Sequence, residues 1–101
     1  MRLIFQNFKN NPRNLMQRAG YHFERQDPQT REESYGRRLS GGADYPKFHI
    51  YVRRQGDELI LNLHLDQKKP SYGDYTMHSG EYEDSKILQK EAENIKKIFN
   101  N

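Results

Sequence analysis

Apolar and polar residues alternate with a period of two along residues 45–66, on both sides of the dipeptide Gly56-Asp57. This pattern predicts two half-buried strands that are joined by a tight turn with glycine at its first central position. The turn also sets the register, because a slip of one residue would move every apolar side chain to the opposite face. The apolar pairs that this register predicts on one face are Phe48 with Leu65, Ile50 with Leu63 and Val52 with Leu61.

The other face of the predicted hairpin is mostly polar. Its cross-strand pairs are Lys47 with Asp66, His49 with His64, Tyr51 with Asn62 and Arg53 with Ile60. Directly opposed residues on an antiparallel ladder have Cβ atoms about 4.5–5.5 Å apart. The sequence therefore predicts two histidines side by side on the polar face of a sheet, which is its sharpest chemical feature.

Two amphipathic helices are predicted on either side of this hairpin. For the first, residues 12–19, Asn11 is a suitable N-cap, Pro12 suits the first helical position and Gly20 suits a left-handed terminus. The second extends from about residue 84 to residue 99 and ends with two lysines, which complement the helix dipole. The apolar face of this second helix consists of Leu88, Ala92, Ile95 and Phe99.

Two shorter segments lie closer to the amino end. Residues 1–8 form too short an apolar run to classify, and are either an edge strand or an arm that docks on the core or on a second subunit. Residues 21–25 alternate as a short strand does. If Tyr21 and Phe23 face the core, the alternate residues His22 and Glu24 join the histidine pair on the open face.

Residues 27–44 and 67–80 contain glycines and prolines at a density that predicts two long loops. Each loop places basic residues beside tyrosines, a composition that suits stacking on bases and pairing with phosphates. The basic residues concerned are Arg37, Arg38, Lys68 and Lys69. A solvated loop explains the composition of the first segment equally well, and it explains the Lys68-Lys69 pair better than a phosphate clamp does unless that loop folds over the sheet.

Composition limits the class of protein. The 101 residues are enough for one domain, and because Leu, Ile, Val and Phe make up only about a fifth of them, the core must be small. A homodimer would bury more apolar surface.

The absence of cysteine excludes disulfides and thiolate zinc sites. A net charge of +3 and a pI near 9.2 are compatible with a polyanionic partner. With no apolar run of membrane-spanning length and no signal-peptide segment, a soluble cytoplasmic protein without a membrane partner is expected.

The predicted order of elements is helix, three strands, helix. We therefore expect an α+β domain of α-β-β-β-α order, in which both helices cover one face of a three-stranded antiparallel sheet and leave the other face open. That order is similar to the double-stranded-RNA-binding-domain fold.

The residues also resemble the HicA family of small toxins, which use that fold. The likeness lies in a helix that ends in Gly20-Tyr21, in Arg25-Gln26, and in His49-Ile50-Tyr51 on the second strand. A third strand that ends near His64 and a closing helix complete it. The resemblance implies a ribonuclease that cuts messenger RNA with a strand histidine, at the position of His49, and that is silenced by a partner antitoxin protein.

The histidine pair supports three interpretations. In the first, His49 and His64 act as general acid and base on a ribose 2′-hydroxyl, since an unperturbed imidazole titrates near pH 6.5. In the second, the two rings bind a transition metal together with Asp66 or Glu24 and with His78. In the third, they are solvated polar residues on an exposed sheet, and Lys47 with Asp66 is an ordinary surface ion pair.

Two functional hypotheses follow. The first is a ribonuclease that needs no metal or other cofactor, with His49 and His64 as its catalytic residues. The second is a non-catalytic module that binds RNA or a partner protein through the same face. The residues predicted to contact RNA are Arg25, Arg37, Arg38, Lys47, Tyr51, Lys68 and Lys69.

Overall fold

The fold is an antiparallel sheet of five strands that is covered by two helices on one face, in a computed structural model that describes residues 1–39, 45–66 and 86–100. The elements are β1 (Arg2–Phe5), α1 (Pro12–Arg18), β2 (His22–Gln26), β3 (Glu33–Arg38), β4 (Lys47–Gln55), β5 (Glu58–Asp66) and α2 (Lys86–Phe99). The strand order across the sheet is β1-β5-β4-β3-β2. Neither described helix is long and apolar enough to cross a membrane.

The central hairpin of β4 and β5 has the predicted register. Phe48 lies opposite Leu65, and His49 lies opposite His64. The chain reverses at Gly56, whose φ of +61° is the left-handed conformation that a turn of this type needs and that glycine adopts without strain. Phe48, Ile50, Leu63 and Leu65 alternate with half-buried polar residues, so the period-two pattern does separate a core face from an open face.

The prediction of three strands was too low, because the sheet has one further strand at its edge and one between the predicted strands. Residues 1–8, left open as an edge strand or an arm, contain the edge strand β1, which pairs with β5. Residues 27–44, predicted as a long loop, contain β3, which pairs with both β2 and β4. The second predicted loop, residues 67–80, lies outside the described residues.

Both helices pack on the core face of the sheet, as predicted. The side chain of Asn11 caps α1 by accepting a hydrogen bond from the backbone N–H of Arg13 at 2.9 Å, and Gly20, at φ +90°, follows the helix. Met16 of α1 is fully buried. The residues of α2 that are buried on its apolar face are Leu88, Ala92, Ile95 and Phe99, as predicted.

Phe23 does not join the core as expected, although its neighbour Tyr21 does. Tyr21 is 1% exposed, whereas Phe23 lies on the edge strand β2 and is 41% exposed. The ring of Phe23 is covered instead by the guanidinium of Arg13 at 4.3 Å and meets the edge of the Tyr35 ring. An edge strand has a neighbour on one side only, so its inward side chains are partly exposed.

A buried carboxylate links α2 to the sheet. Glu91, with only 5% of its side chain exposed, accepts a hydrogen bond of 2.7 Å from the Tyr21 hydroxyl and one of 2.8 Å from the Arg37 guanidinium. The guanidinium also lies over the rings of Tyr21 and Phe48. Burial and the adjacent carboxylate raise the pKa of Tyr21, so its hydroxyl stays protonated and remains a donor. The buried charge of Glu91 therefore has two hydrogen-bond donors, one from Tyr21 and one from Arg37.

We expect Glu91→Ala to lower the free energy of unfolding by about 3–5 kcal/mol, because it leaves a phenol hydroxyl and a guanidinium without their shared partner. Tyr21→Phe removes one hydrogen bond and keeps the Arg37 pair, so its loss should be about 1.5 kcal/mol. Urea denaturation at neutral pH measures both values. Equal losses for the two variants would contradict a network centred on Glu91.

Candidate functional site on the open face of the sheet

The face of the sheet opposite the helices carries the predicted polar side chains in regular rows. One row runs across four strands as His64, His49, Gly36 and His22. The row on one side consists of Asp66, Lys47 and Arg38. The row on the other side consists of Asn62, Tyr51, Ser34 and Arg25. The prediction that His22 shares a face with the histidine pair is confirmed by this register.

His49 is held from one side by Asp66. Its Nδ1 lies 3.0 Å from Oδ2 of Asp66, and because an ionised carboxylate only accepts hydrogen bonds, Nδ1 is the donor. The hydrogen bond from His49 is the main cause that lowers the pKa of Asp66, and partial burial opposes it. This contact fixes the orientation of the ring and directs Nε2 toward Glu24.

Nε2 of His49 faces a second carboxylate. Oε1 of Glu24 lies 3.0 Å from this nitrogen, and Oε2 of Glu24 accepts a hydrogen bond of 3.3 Å from Nζ of Lys47. The Nε2–Oε1 distance is that of an ion pair, but its direction does not suit a hydrogen bond, so this buried nitrogen makes none within the described part of the chain. The carboxylate of Glu24 therefore covers Nε2 but forms no hydrogen bond with it.

Tyr51 lies between the two histidines. Its ring stacks on the His49 ring at 4.7 Å between centroids and meets the His64 ring edge-on at 5.8 Å. Burial is the main cause that raises the pKa of Tyr51, and the charges of Asp66, Glu24 and Glu32 add to it. The hydroxyl is therefore protonated at neutral pH and can donate a hydrogen bond.

Most of the described residues predicted to contact RNA lie on this face. Lys47 and Tyr51 flank His49 along β4, and Arg38 and Arg25 occupy the adjacent rows on β3 and β2. Their positions agree with a common surface, while their contact with RNA stays a prediction. Lys68 and Lys69 lie outside the described residues.

Arg37 does not belong to this surface. It lies next to Arg38 on β3, and alternate residues of a strand point to opposite faces, so its side chain is on the helix side. There it binds Glu91, as described above, and its guanidinium lies 5.3 Å from the centre of the Phe48 ring. Tyr35, the tyrosine of the segment 27–44 for which stacking on bases was predicted, is fully buried, and burial raises its pKa to about 12.

The metal-binding interpretation needs three ligands close together. Within residues 1–39, 45–66 and 86–100, no group of three histidine, aspartate or glutamate side chains is placed to hold one ion. His78, which the sequence suggested as a further ligand, lies outside these ranges. The described geometry is that of an imidazole between two carboxylates.

The role of Glu24 was not predicted, although its side of the strand was. A register shift between Phe23 and Arg25 makes Glu24 the extra residue of a β-bulge, and bulges redirect side chains. Its carboxylate crosses β3 above Gly36 to reach His49 on β4. A glycine inside a strand is the one sequence signal that points to such a close approach, but a strand had not been predicted there.

Comparison with known proteins finds no family model that matches the chain and no significant similarity to a curated protein or to a solved structure. The resemblance to the HicA family therefore stays a prediction. The chemistry of the open face is what points to a function.

Asp66 stabilises the fold only while it is ionised, and the sign of the effect follows from its lowered pKa. The contribution is complete above the unfolded value near pH 3.9 and is lost as the pH falls through the lower folded value. Because the side chain is 37% exposed, solvent screening keeps the contribution below about 1 kcal/mol. We expect Asp66→Asn to be less stable than the wild type at about pH 6, and the difference to shrink steadily as the pH falls below about 4. Urea denaturation across this pH range tests this, and a constant difference would contradict it.

Proposed function

We propose that the protein cleaves single-stranded RNA without a metal ion, with the open face of the sheet as its active surface. The observation that supports this most is the His49 ring, which is oriented by Asp66, flanked by Lys47 and directly opposite His64. Two imidazoles and a cation are the groups that such cleavage requires. Charge agrees with this choice, because the rows described above carry Arg25, Arg38 and Lys47 along the sheet.

The reaction proposed is an internal transfer at the ribose. His49 accepts the proton of the 2′-hydroxyl at Nε2, while the carboxylate of Asp66 stabilises the imidazolium that forms. The 2′ oxygen attacks the adjacent phosphorus, and the 5′ oxygen leaves with a proton from His64. The products are a 2′,3′-cyclic phosphate and a free 5′-hydroxyl, so no water and no metal takes part in this step.

The other residues position the substrate. The ammonium of Lys47 lies beside His49 and stabilises the negative charge that develops on the phosphorus oxygens. The Tyr51 ring, which is partly exposed between the histidines, offers a surface on which a base can stack. An open sheet with such a ring suits splayed single strands, whose bases are accessible, better than duplex RNA, whose bases are hidden.

A single-stranded RNA oligonucleotide incubated with the protein and a chelator should be cut to products with a 2′,3′-cyclic phosphate. His49→Gln and His64→Gln should each lower the rate by about 10²–10⁴-fold, the usual contribution of a general acid or base. Mass spectrometry identifies the products, and gel analysis of labelled RNA gives the rate.

The matched control is His22→Gln, since His22 lies in the same row but on the exposed edge strand, separated from the strand of His64 by β3 and β4. A DNA oligonucleotide of the same sequence should stay intact because it has no 2′-hydroxyl. Cleavage of that DNA, or equal rates for all three glutamine variants, would contradict the proposed reaction.

A second candidate function is binding of single-stranded RNA without cleavage. The position of Glu24 favours it, because a carboxylate 3.0 Å from Nε2 of His49 occupies the place that a 2′-hydroxyl needs. A partner protein of the antitoxin kind is the corresponding alternative ligand for the same face. In this case His49 with its two carboxylates is a structural ion cluster, and the cations around it carry the affinity.

Binding to RNA predicts a steep salt dependence, because each phosphate contact releases counterions. For single strands we expect Lys47→Gln and Arg38→Gln each to reduce the slope of log K against log salt concentration by about 0.7. Lys90→Gln, on the solvent side of α2, removes the same charge and should leave the slope unchanged. Fluorescence anisotropy with labelled RNA at several salt concentrations measures the slope, and equal effects of all three variants would exclude specific contacts at the open face.

A further inference from the structure

The course of the Glu24 side chain across the sheet is unusual for a residue on an edge strand. The bulge in β2 turns it inward over β3, and its carboxylate ends between Lys47 and His49 on β4. It therefore spans the width of one strand instead of extending into solvent. No hydrophobic gain accompanies this, since the side chain lies on the open face and is 33% exposed.

Gly36 makes this course possible. It lies in the row between His22 and His49, and a Cβ at this position would collide with Oε2 of Glu24. Glycine inside a strand is unfavourable because of its conformational freedom, and it often marks a place where another group approaches closely. The glycine therefore provides a shallow depression beside His49.

The groups around this depression suit an oxyanion. Nζ of Lys47 and Nε2 of His49 each face one oxygen of the Glu24 carboxylate, at 3.3 Å and 3.0 Å. The two non-bridging oxygens of a phosphodiester present the same pair of acceptors to the Lys47 ammonium and, when the His49 ring is protonated, to its Nε2–H. Arg38, which is directly opposite Lys47 on β3, adds positive charge at the edge of the depression.

We propose that the depression above Gly36, between Lys47 and His49, is a phosphodiester-binding site that the carboxylate of Glu24 fills in the free protein and leaves when RNA binds. The choice of RNA as the ligand rests on the function proposed above. Displacement is feasible because Glu24 and Lys47 are partly exposed, and ion pairs of this kind are worth little in water.

Glu24 is then an internal competitor of the substrate. The measured affinity for RNA equals the intrinsic affinity multiplied by the fraction of molecules whose depression is open. Removal of the competitor should therefore strengthen binding, whereas loss of an acidic residue elsewhere should not do so to the same extent.

The test uses a 2′-O-methyl oligoribonucleotide, which keeps the phosphodiesters and cannot be cleaved, so that affinity is measured independently of catalysis. We expect Glu24→Gln to tighten binding by about five-fold or more. Gly36→Ala places a Cβ where Oε2 of Glu24 lies, which is also the space that a phosphate oxygen needs, so this variant should not give the gain. Because the added methyl group fills the floor of the depression, the double variant should bind less tightly than Glu24→Gln alone.

The control is Glu93→Gln, an exposed position on α2 that removes the same charge from the helix side of the protein. If Glu93→Gln tightens binding as much as Glu24→Gln, the gain comes from net charge and the proposal is overturned. Thermal unfolding of each variant shows whether it is folded. Should Gly36→Ala not fold, the comparison of Glu24→Gln with Glu93→Gln still decides.

Titration with inorganic phosphate, followed by the NMR signals of the His49 ring, separates this proposal from the function it rests on. Shifts that saturate in Glu24→Gln and need much higher phosphate in the wild type support the depression as an oxyanion site, even if no variant binds RNA. In that case only the choice of RNA fails. Absence of such shifts in Glu24→Gln, with no gain in RNA affinity, overturns the site itself.

Discussion

The pairing of β4 with β5 is the constraint on which the rest of the structure depends. Each strand is nine residues long, and the turn at Gly56 fixes which residues face each other. The same register that buries the apolar residues under the helices sets His49 against His64 on the other side. Core formation and assembly of the candidate site therefore depend on the same register, since a slip of one residue would move the apolar side chains and the histidines to the wrong faces together.

Paired carboxylates have two different roles in this protein. Glu91 is held under α2 by a tyrosine and an arginine, is almost fully buried, and serves to fix the helix to the sheet. Glu24 is also paired with basic groups, but it is exposed to solvent and reaches its partners across a glycine. The first arrangement is costly to break. The second is easily broken, which agrees with the displacement of Glu24 proposed above.

The sequence predicts those parts in which apolar periodicity and local turn or cap chemistry agree. The hairpin register, the capped helix α1 and the buried face of α2 belong to this group. Strand β3 could not be found in this way, because two of its inward residues, Glu33 and Arg37, are charged. Their partners, Arg13 and Glu91, come from distant parts of the chain. For the site, the sequence predicts the histidine pair and Tyr51 but not the reach of Glu24, which depends on a bulge.

Strand β3 has a consequence for how the protein can be altered. Its successive residues serve two layers in turn: Tyr35 and Arg37 hold the helices, while Gly36 between them forms the floor of the open face. The two sides of this strand share one backbone, so a displacement that repacks the interior also tilts the outer surface. Substitutions that aim to raise stability without a change of specificity should therefore be made near the turn at Gly56 and not in β3.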